Sequence, residues 1–323
     1  MKAIQIEQPG KDYRLVMGEQ SRPLPGPGAV LIRIAAAGLN NADLLQARGL
    51  YPPPAGASSI LGMEVSGTIA ELGQGVTGWK VGDRVCALLA GGGYGEYAAA
   101  DAGSVLPVPE TIDLVEAAGL PEAAFTAWTN IMDTGRLAPG ESLLIHGGTS
   151  GIGSLAIQIF AARGHRVFTT AGSEAKCQAA AKLGASRAIN YRSEDFVLVA
   201  KAETAGVDVI LDMVGGDYVQ RNIDTAAAWG RIVNIAYQSG FKTEVNFAPV
   251  LTKRLTLAAT TLRGRTTDQK RAIRDALLQE VWPLLGTGVR PVIDRVFPLE
   301  QAQKAHEYMA GTGHIGKILL QMP

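Results

Sequence analysis

The chain has 323 residues, of which 47% are hydrophobic and 39 are glycine, and its formal net charge at pH 7 is +0. This composition is typical of a globular α/β protein with many glycine turns, and it excludes a disordered chain. The balanced charge argues against nucleic acid or an anionic membrane as a partner.

The sequence shows no sign of export or of membrane insertion. The first ten residues alternate like a strand, and no apolar run approaches the ~18 residues of a membrane span. Cys86 and Cys177 form no C-x-x-C pair, which fits a reducing compartment. We therefore expect a soluble, cytoplasmic protein.

The first 120 residues contain short apolar segments separated by glycine and proline. Turn-rich segments include 23–28 and the glycine run at 91–93. This pattern predicts an antiparallel or barrel-like β domain. The predicted strands are 2–7, 29–36, 64–72, 83–89 and 95–100. Residues 113–119 and 121–133 read as helical and lead into a second domain.

The segment ESLLIHGGTSGIGSLAIQIFAARG, at 141–164, predicts a strand, a glycine turn and a helix. Glycine lets a diphosphate approach the backbone, and the start of a helix offers N–H groups to an anion. The G-x-G-x-x-G spacing falls on Gly148, Ser150 and Gly153, so serine replaces the middle glycine. Either the phosphates lie further out or the Ser150 hydroxyl bonds the cofactor, and we favour the second.

Beyond residue 141, strands and helices alternate. The predicted strands are 143–146, 167–171, 188–190, 207–212, 231–236 and 255–261, with helices such as 173–183, 193–205 and 217–226. Six such strands with crossover helices predict a doubly wound parallel sheet that binds a dinucleotide. A helix at 267–285, a strand at 292–297, a helix at 299–309 and a strand at 316–321 are expected to complete the first domain.

The end of the second strand of the sheet favours NADPH over NADH. An acidic residue about 20 positions after the glycines would bind the ribose 2′-hydroxyl of NAD, but Ser173 stands there. Gly172, Ser173 and Lys176 suit a 2′-phosphate through N–H groups, a hydroxyl and a cation. Glu174 could still reach a ribose, although it is also a good first-turn residue. Tyr191 could flank the same phosphate.

Several motifs together resemble the medium-chain dehydrogenase/reductase superfamily, and within it the zinc-independent quinone oxidoreductase branch. They are AGLNNAD (37–43), YPPP (51–54), LGMEVSG (61–67), VGDRV (81–85), LPEA (120–123), HGGTSGIG (146–153) and HIGK (314–317). The resemblance implies a split, β-rich GroES-like catalytic domain, 1–122 and 263–323, around a Rossmann NADPH-binding domain, 123–262.

Zinc-dependent members of that superfamily have a cysteine where this chain has Asn40 and a histidine where it has Met63. An amide and a thioether cannot replace thiolate and imidazole ligands. Two cysteines are too few for the four-cysteine structural lobe of those enzymes. We therefore expect no bound metal, and alcohol dehydrogenation becomes a poor candidate. The four histidines show no ligand spacing.

Without a Lewis acid, hydride transfer from NADPH to an electron-poor quinone is the reaction we favour. The resemblance places Tyr51, Asn40 and Asp43 at the active site. Tyr51 would donate a hydrogen bond or proton, Asn40 would orient the substrate or the nicotinamide ribose, and Asp43 would hold their loop. Each also has a structural interpretation, as a rim tyrosine, a turn asparagine and a helix cap. Ser150 completes the predicted catalytic set.

Two other functions stay open. The same geometry would reduce an alkenal or enone, and a catalytically silent NADPH-binding structural or regulatory protein is the third interpretation. The predicted cofactor-binding residues are Thr126, Gly148, Thr149, Ser150, Gly151, Ile152, Gly153, Gly172, Ser173, Lys176, Tyr191, Val214, Ala236, Tyr237 and Lys317.

The segment RLTLAATTL, at 254–262, predicts a homodimer. It has high strand propensity, and charges lie only at its flanks, so nothing blunts it as the edge of a sheet. The alternative is that a loop or helix of the same subunit covers this edge. The resemblance implies pairing of this strand across a two-fold axis.

Overall fold

In a computed structural model of the chain, residues 1–311 and 313–323 are described, and they divide into two compact units. Unit 1 consists of Met1–Phe125 and Arg263–Pro323, and unit 2 of Thr126–Leu262. No helix in the described part of the chain is both long and apolar enough to cross a bilayer.

Unit 1 is built on β-strands. They are β1 (Lys2–Glu7), β2 (Arg14–Glu19), β3 (Ala29–Gly38), β4 (Glu64–Leu72), β5 (Arg84–Leu88), β6 (Tyr97–Asp101), β7 (Val105–Pro107), β14 (Ile293–Pro298) and β15 (Lys317–Gln321). β1 and β2 pair with each other, and the other strands form one sheet in the order β14-β15-β3-β4-β5-β7, with β6 on β3.

The long strand β3 organises this sheet. Its first half pairs with β6 and its last residues pair with β15, while β4 follows it along most of its length. Apolar side chains from these strands form the core of the unit, among them Val30, Ile32, Val65 and Leu320. The pairing of β15 with β3 brings segments from opposite ends of the sequence together.

Short helices complete unit 1. They are α1 (Asn41–Ala47), the start of α2 (Pro121–Trp128), α8 (Thr267–Glu280) and α9 (Ala302–Ala310), with 3₁₀ turns at Ala102–Ser104, Glu116–Gly119, Trp282–Leu284 and Leu299–Gln301. The predicted helix at 267–285 was too long, because Pro283 cannot continue an α-helix and a 3₁₀ turn replaces its end.

Unit 2 contains a six-stranded parallel sheet in the order β10-β9-β8-β11-β12-β13. Its strands are β8 (Ser142–His146), β9 (Arg166–Ala171), β10 (Arg187–Asn190), β11 (Val207–Asp212), β12 (Ala226–Asn234) and β13 (Thr256–Ala259). All five residues of β8 are buried, as expected for a parallel strand covered on both faces.

Helices connect the parallel strands. They are α3 (Gly151–Ala162), α4 (Glu174–Lys182), α5 (Phe196–Glu203), α6 (Tyr218–Thr225) and α7 (Ala248–Lys253), and a π-helix at Thr129–Thr134 continues α2. The predicted fold class, a GroES-like β domain with a doubly wound Rossmann domain, is confirmed. The strand order reverses between β8 and β11, which is where such sheets bind ligands.

Candidate active site

The predicted glycine turn joins β8 to α3. Ser150 is the N-cap residue of α3, and its hydroxyl oxygen accepts a hydrogen bond from the Gly153 N–H at 3.0 Å. A Cβ on Gly148 would lie 1.9 Å from the Thr169 hydroxyl oxygen, and one on Gly153 would lie 2.4 Å from the Gly147 carbonyl oxygen. Both positions therefore require glycine for close packing of turn, strand and helix.

Ser150 has a hydroxyl proton to offer in addition to its capping contact. The hydroxyl oxygen lies 3.9 Å from the sulfur of Met213, which is a weak acceptor. A phosphate oxygen would be a stronger partner for this proton. Thr149, Gly151 and Ile152, also predicted to bind the cofactor, lie in the same turn and at the start of α3.

Four predicted residues meet where β9 and β10 end. Ser173 is the N-cap of α4, and its hydroxyl accepts from the Lys176 N–H at 3.3 Å. Tyr191 packs directly on Gly172, because a Cβ on this glycine would lie 2.6 Å from the Tyr191 hydroxyl. The start of α4, the Ser173 hydroxyl, Lys176 and the half-exposed phenol of Tyr191 therefore lie in one region of unit 2.

A second pair of loops follows β11 and β12. The Ser239 N–H donates to the Val214 carbonyl oxygen at 2.7 Å, and the Tyr237 ring packs against Gly215. Val214 and Tyr237, with Ala236 beside it, therefore belong to one loop cluster, next to the Met213 that contacts Ser150. Thr126 lies in α2, and its carbonyl oxygen accepts from the Asn130 side chain at 2.8 Å.

In unit 1, Asn40 lies in a buried polar cluster with Glu64 and Lys317. The Asn40 amide nitrogen donates to Glu64 Oε1 at 2.9 Å, and its amide oxygen accepts from Lys317 Nζ at 2.8 Å. Lys317 and Glu64 also form an ion pair, with relative side-chain exposures of 4% and 0%. Because a carboxylate and an ammonium hold opposite ends of the amide, the Asn40 side chain has one defined orientation.

The structure places the Lys317 ammonium among three acceptors of unit 1. These are the Leu39 carbonyl oxygen at 3.1 Å, the Asn40 amide oxygen and the Glu64 carboxylate. An ammonium has three N–H donors, so a contact with the cofactor would have to replace one of these bonds. The role predicted for Lys317 stays a prediction.

The Asp43 carboxylate ties the segment around Asn40 to the segment around Gly62. Its carboxylate accepts from the Asn40 N–H at 2.8 Å, the Gly62 N–H at 3.1 Å and the Tyr94 hydroxyl at 3.3 Å. Burial raises the pKa of Asp43 to about 6, although the two N–H groups favour the carboxylate. Since Asp43 is fully buried, its position suits loop support rather than substrate contact.

Tyr51 is half-buried and has a guanidinium beside it. Arg263 lies with its guanidinium carbon 5.4 Å from the centre of the Tyr51 ring and donates to the Ala90 carbonyl oxygen at 2.6 Å and to the Gln46 side chain at 2.7 Å. Burial raises the pKa of Tyr51, so its phenol keeps a proton to donate at neutral pH.

Sequence reasoning assigned no role to Glu64 or Asp212. Glu64 begins β4 between Met63 and Val65, and Asp212 ends the apolar strand β11, and both are fully buried. A buried carboxylate at the end of a largely apolar strand costs free energy unless it is bonded. Both strands also carry a second acidic residue, Glu71 in β4 and Asp208 in β11, so the sequence did not single out Glu64 and Asp212.

The residues that replace zinc ligands do not fit a metal. Asn40 offers an amide that is already bonded, Met63 offers only a thioether, and the Lys317 ammonium beside Asn40 would repel a divalent cation. Across residues 1–311 and 313–323, no group of three or more His, Cys, Asp or Glu side chains could hold a metal ion. By contrast, the close-packed glycines and capped helix start of unit 2 fit a dinucleotide.

Comparison with known proteins agrees with both units. Residues 26–110 match the alcohol dehydrogenase GroES-like domain, and residues 183–320 match the zinc-binding dehydrogenase family. The rat quinone oxidoreductase is 30% identical over 328 residues, which cover 99% of this chain and 97% of that protein. The chain belongs to the medium-chain dehydrogenase/reductase superfamily. It therefore has the dinucleotide-binding fold of that superfamily.

Other members of this superfamily are similarly close. The Escherichia coli quinone oxidoreductase complexed with NADPH has a TM-score of 0.86 and 29% identity, over 99% of this chain and all of that one. The CurK enoyl reductase also has a TM-score of 0.86, with 28% identity, over 100% of this chain and 99% of that one.

Much longer proteins match as well. A phenolphthiocerol/phthiocerol polyketide synthase of Mycobacterium tuberculosis is 34% identical over 323 residues. This match covers 99% of the chain but only 15% of the synthase.

Proposed function

We propose that this chain is an NADPH-dependent quinone oxidoreductase that works without a metal. Within the superfamily we place it in the zinc-independent quinone oxidoreductase branch, most like the tumour-suppressor-inducible enzyme. The observation that carries the proposal is the buried cluster of Asn40, Glu64 and Lys317, in which an amide, at the position where the resemblance expects a cysteine ligand, is held between a carboxylate and an ammonium.

The residues of unit 2 support NADPH as the cofactor. The glycine turn and the Ser150 hydroxyl would hold the diphosphate, and Gly172, Ser173, Lys176 and Tyr191 would hold the 2′-phosphate. When bound, NADPH supplies a hydride to the acceptor. Ser173 stands at the cap of α4 where an NAD-binding protein would have a carboxylate, and Lys176 follows in the first turn of the helix. Both residues favour NADPH over NADH.

The residues of unit 1 would act on the acceptor. Tyr51 keeps its phenolic proton because burial raises its pKa, and it can donate a hydrogen bond to a quinone oxygen. Asn40 presents a fixed amide whose second N–H has only a weak contact, 3.5 Å to the Gly38 carbonyl oxygen. We assign this N–H to orienting the substrate, with Asp43 holding the loop.

An enone or enoyl reductase is the second candidate. It is supported by similarity to the CurK enoyl reductase and to segments of polyketide synthases. The same residues would then stabilise an enolate oxygen while hydride goes to the β-carbon. Activated alkenes and quinones are both electron-poor acceptors, so both can accept a hydride without the help of a Lewis acid.

The test is NADPH oxidation with a panel of 1,4-benzoquinones, 1,2-naphthoquinones, alkenals and enoyl thioesters. Faster turnover with quinones supports the first proposal, and turnover confined to alkenals or thioesters supports the second. Tight NADPH binding without turnover of any acceptor would refute both and favour a silent binding protein. Tyr51→Phe and Asn40→Ala should each slow the reaction with little change in NADPH affinity.

We also propose a homodimer that forms through β13. This strand lies at the edge of the unit 2 sheet, and three of its four residues are exposed, including Leu257 at 41%. An open edge with no charge or proline in the strand favours pairing with a second copy of the chain. Sedimentation as a monomer at micromolar concentration would refute this.

A further inference from the structure

Asp212 is a buried carboxylate at the carboxyl end of β11, the end at which parallel sheets of this kind bind their ligands. It is the last residue of β11, and its exposed fraction is 0%. β11 lies next to β8 at the point where the strand order reverses. Since the residues proposed to bind the 2′-phosphate lie at the ends of β9 and β10, we expect the nicotinamide half of a dinucleotide on the side of β11 and β12.

Neutral groups satisfy this carboxylate. Oδ1 accepts from the Val214 N–H at 2.7 Å and the Gly215 N–H at 3.2 Å. Oδ2 accepts from the side-chain amides of Asn222 at 3.1 Å and Asn234 at 2.8 Å. In the described part of the chain, no histidine, lysine or arginine side chain forms an ion pair with Asp212. Its negative charge is solvated by dipoles and is not neutralised.

The nearby imidazole does not supply the missing cation. His146 Nε2 lies 2.7 Å from Asn222 Oδ1, and since the Asn222 amide nitrogen donates to Asp212, this oxygen must accept from His146. His146 Nδ1 then accepts from the Thr170 hydroxyl at 3.0 Å. Burial lowers the pKa of His146, which keeps the ring neutral. The neighbouring Arg221 instead pairs with Asp195 at 3.1 Å.

A fixed charge in a buried, low-dielectric setting acts over a longer range than one in water. Hydride transfer moves one hydrogen with two electrons from NADPH to the acceptor, which then takes up a proton, so that NADPH, H⁺ and the acceptor give NADP⁺ and the reduced acceptor. The nicotinamide ring becomes cationic in this step. A negative charge beneath it therefore stabilises the product side and the transition state.

We propose that the uncompensated charge of Asp212 stabilises the cationic nicotinamide of NADP⁺ and so favours hydride donation. The inference rests on the proposed NADPH function. Asp212 acts here through its position and its charge, because its contacts are to the loop that follows β11, at Val214, and to the end of β12, at Asn234.

A purely structural role for these contacts predicts a different result. If Asp212 only fixes the loops, its loss would weaken binding of NADPH and NADP⁺ by the same factor. If its charge matters, the loss would weaken NADP⁺ more than NADPH. The ratio of the two dissociation constants separates the alternatives without any turnover measurement.

The experiment is calorimetric titration of the full chain with NADPH and, separately, with NADP⁺. In Asp212→Asn the ratio of the NADP⁺ to the NADPH dissociation constant should rise roughly tenfold, on the scale of one preorganised charge. Asp212→Ser, whose hydroxyl can still accept from the N–H two residues on, should show the same rise. Asp212→Ser also provides the neutral variant for this test if Asp212→Asn does not fold.

Two further variants act as controls. Asn222→Ser removes a donor but keeps the charge, so the ratio should stay at its wild-type value. The double variant D212N/N234D exchanges the carboxylate and the amide of the two residues, which are joined by a 2.8 Å hydrogen bond. The negative charge then stays within the same hydrogen-bonded pair, so the wild-type ratio should be restored. An unchanged ratio in both neutral variants would overturn the inference. If the wild type binds neither dinucleotide, the proposed function fails and the inference fails with it.

Discussion

Removal of the Lys317 ammonium gives a quantitative test of the buried cluster in unit 1. Lys317→Met keeps most of the side-chain volume but leaves Glu64 without its cation at 0% exposure. Glu64 would retain the Asn40 amide and the Glu122 N–H at 2.8 Å as donors. Removing one partner of a buried ion pair costs about 3–5 kcal/mol, because the other charge stays buried.

The effect can be measured as a shift in urea unfolding. With an m-value of about 2–3 kcal/mol per molar, the loss corresponds to a midpoint about 1–2 M lower. Trp79 and Trp282 lie in unit 1, so tryptophan fluorescence and circular dichroism can both follow the transition. Asn40 would also lose its Lys317 partner, so quinone turnover should fall in the same variant.

A double-mutant cycle decides whether the pair itself is responsible. Glu64→Gln combined with Lys317→Met removes both charges, and it should be more stable than Lys317→Met alone, by about 2 kcal/mol or more. Additive losses would refute the reasoning, since they would mean that the two charges do not depend on each other. A lower NADPH affinity in Lys317→Met, with unchanged stability, would instead support the predicted cofactor contact.

Four other features can be tested separately. Lys176→Ala should weaken NADPH binding by about 1–3 kcal/mol and leave NADH binding unchanged, and equal wild-type affinities for the two cofactors would contradict this. Ala259→Pro removes a backbone donor from β13 and should raise the monomer fraction in sedimentation. The pKa of Asp43, about 6, lies above the ~3.9 of an unfolded aspartate, so its stabilising contribution is present below pH ~4 and lost as the pH rises through 6. The unfolding free energy of the wild type relative to Asp43→Asn should therefore fall by about 2 kcal/mol between pH ~4 and ~7. Elemental analysis should find no stoichiometric zinc, and chelators should not change turnover.

Much of the fold could be predicted because local patterns determine local structure. The strands at Lys2–Glu7, Glu64–Leu72 and Val207–Asp212 were predicted to the residue, since each is an apolar segment bounded by turns. Arg14–Glu19 was missed, because most of its residues are only partly buried and it pairs with β1 alone. β12 was expected to begin at residue 231 but begins at Ala226, where three consecutive alanines favour a helix.

Some features had no local signal. The π-helix at Thr129–Thr134 looks like ordinary helix in sequence, since a shift from i+4 to i+5 bonding leaves the apolar pattern almost unchanged. The short helix α1 was also missed.

The candidate site shows the same division between local and distant information. The glycine turn and the α4 cap with Ser173 are local motifs, and the structure has both where the spacing predicted them. The contact between Lys317 and Asn40 joins residues 277 positions apart, and no periodicity encodes it. The role of Asp212 was hidden for a similar reason, because its amide donors come from α6 and β12.

The pairing of β15 with β3 has a consequence for synthesis on the ribosome. Unit 2 is one continuous segment, so it can fold as soon as residues 126–262 have emerged. Until residues 317–321 are made, the end of β3 has an open edge and the Glu64 carboxylate has no ammonium partner. We therefore expect nascent chains to carry a folded dinucleotide domain beside an incomplete β domain, which pulse proteolysis of stalled chains would detect as a protected unit 2 fragment.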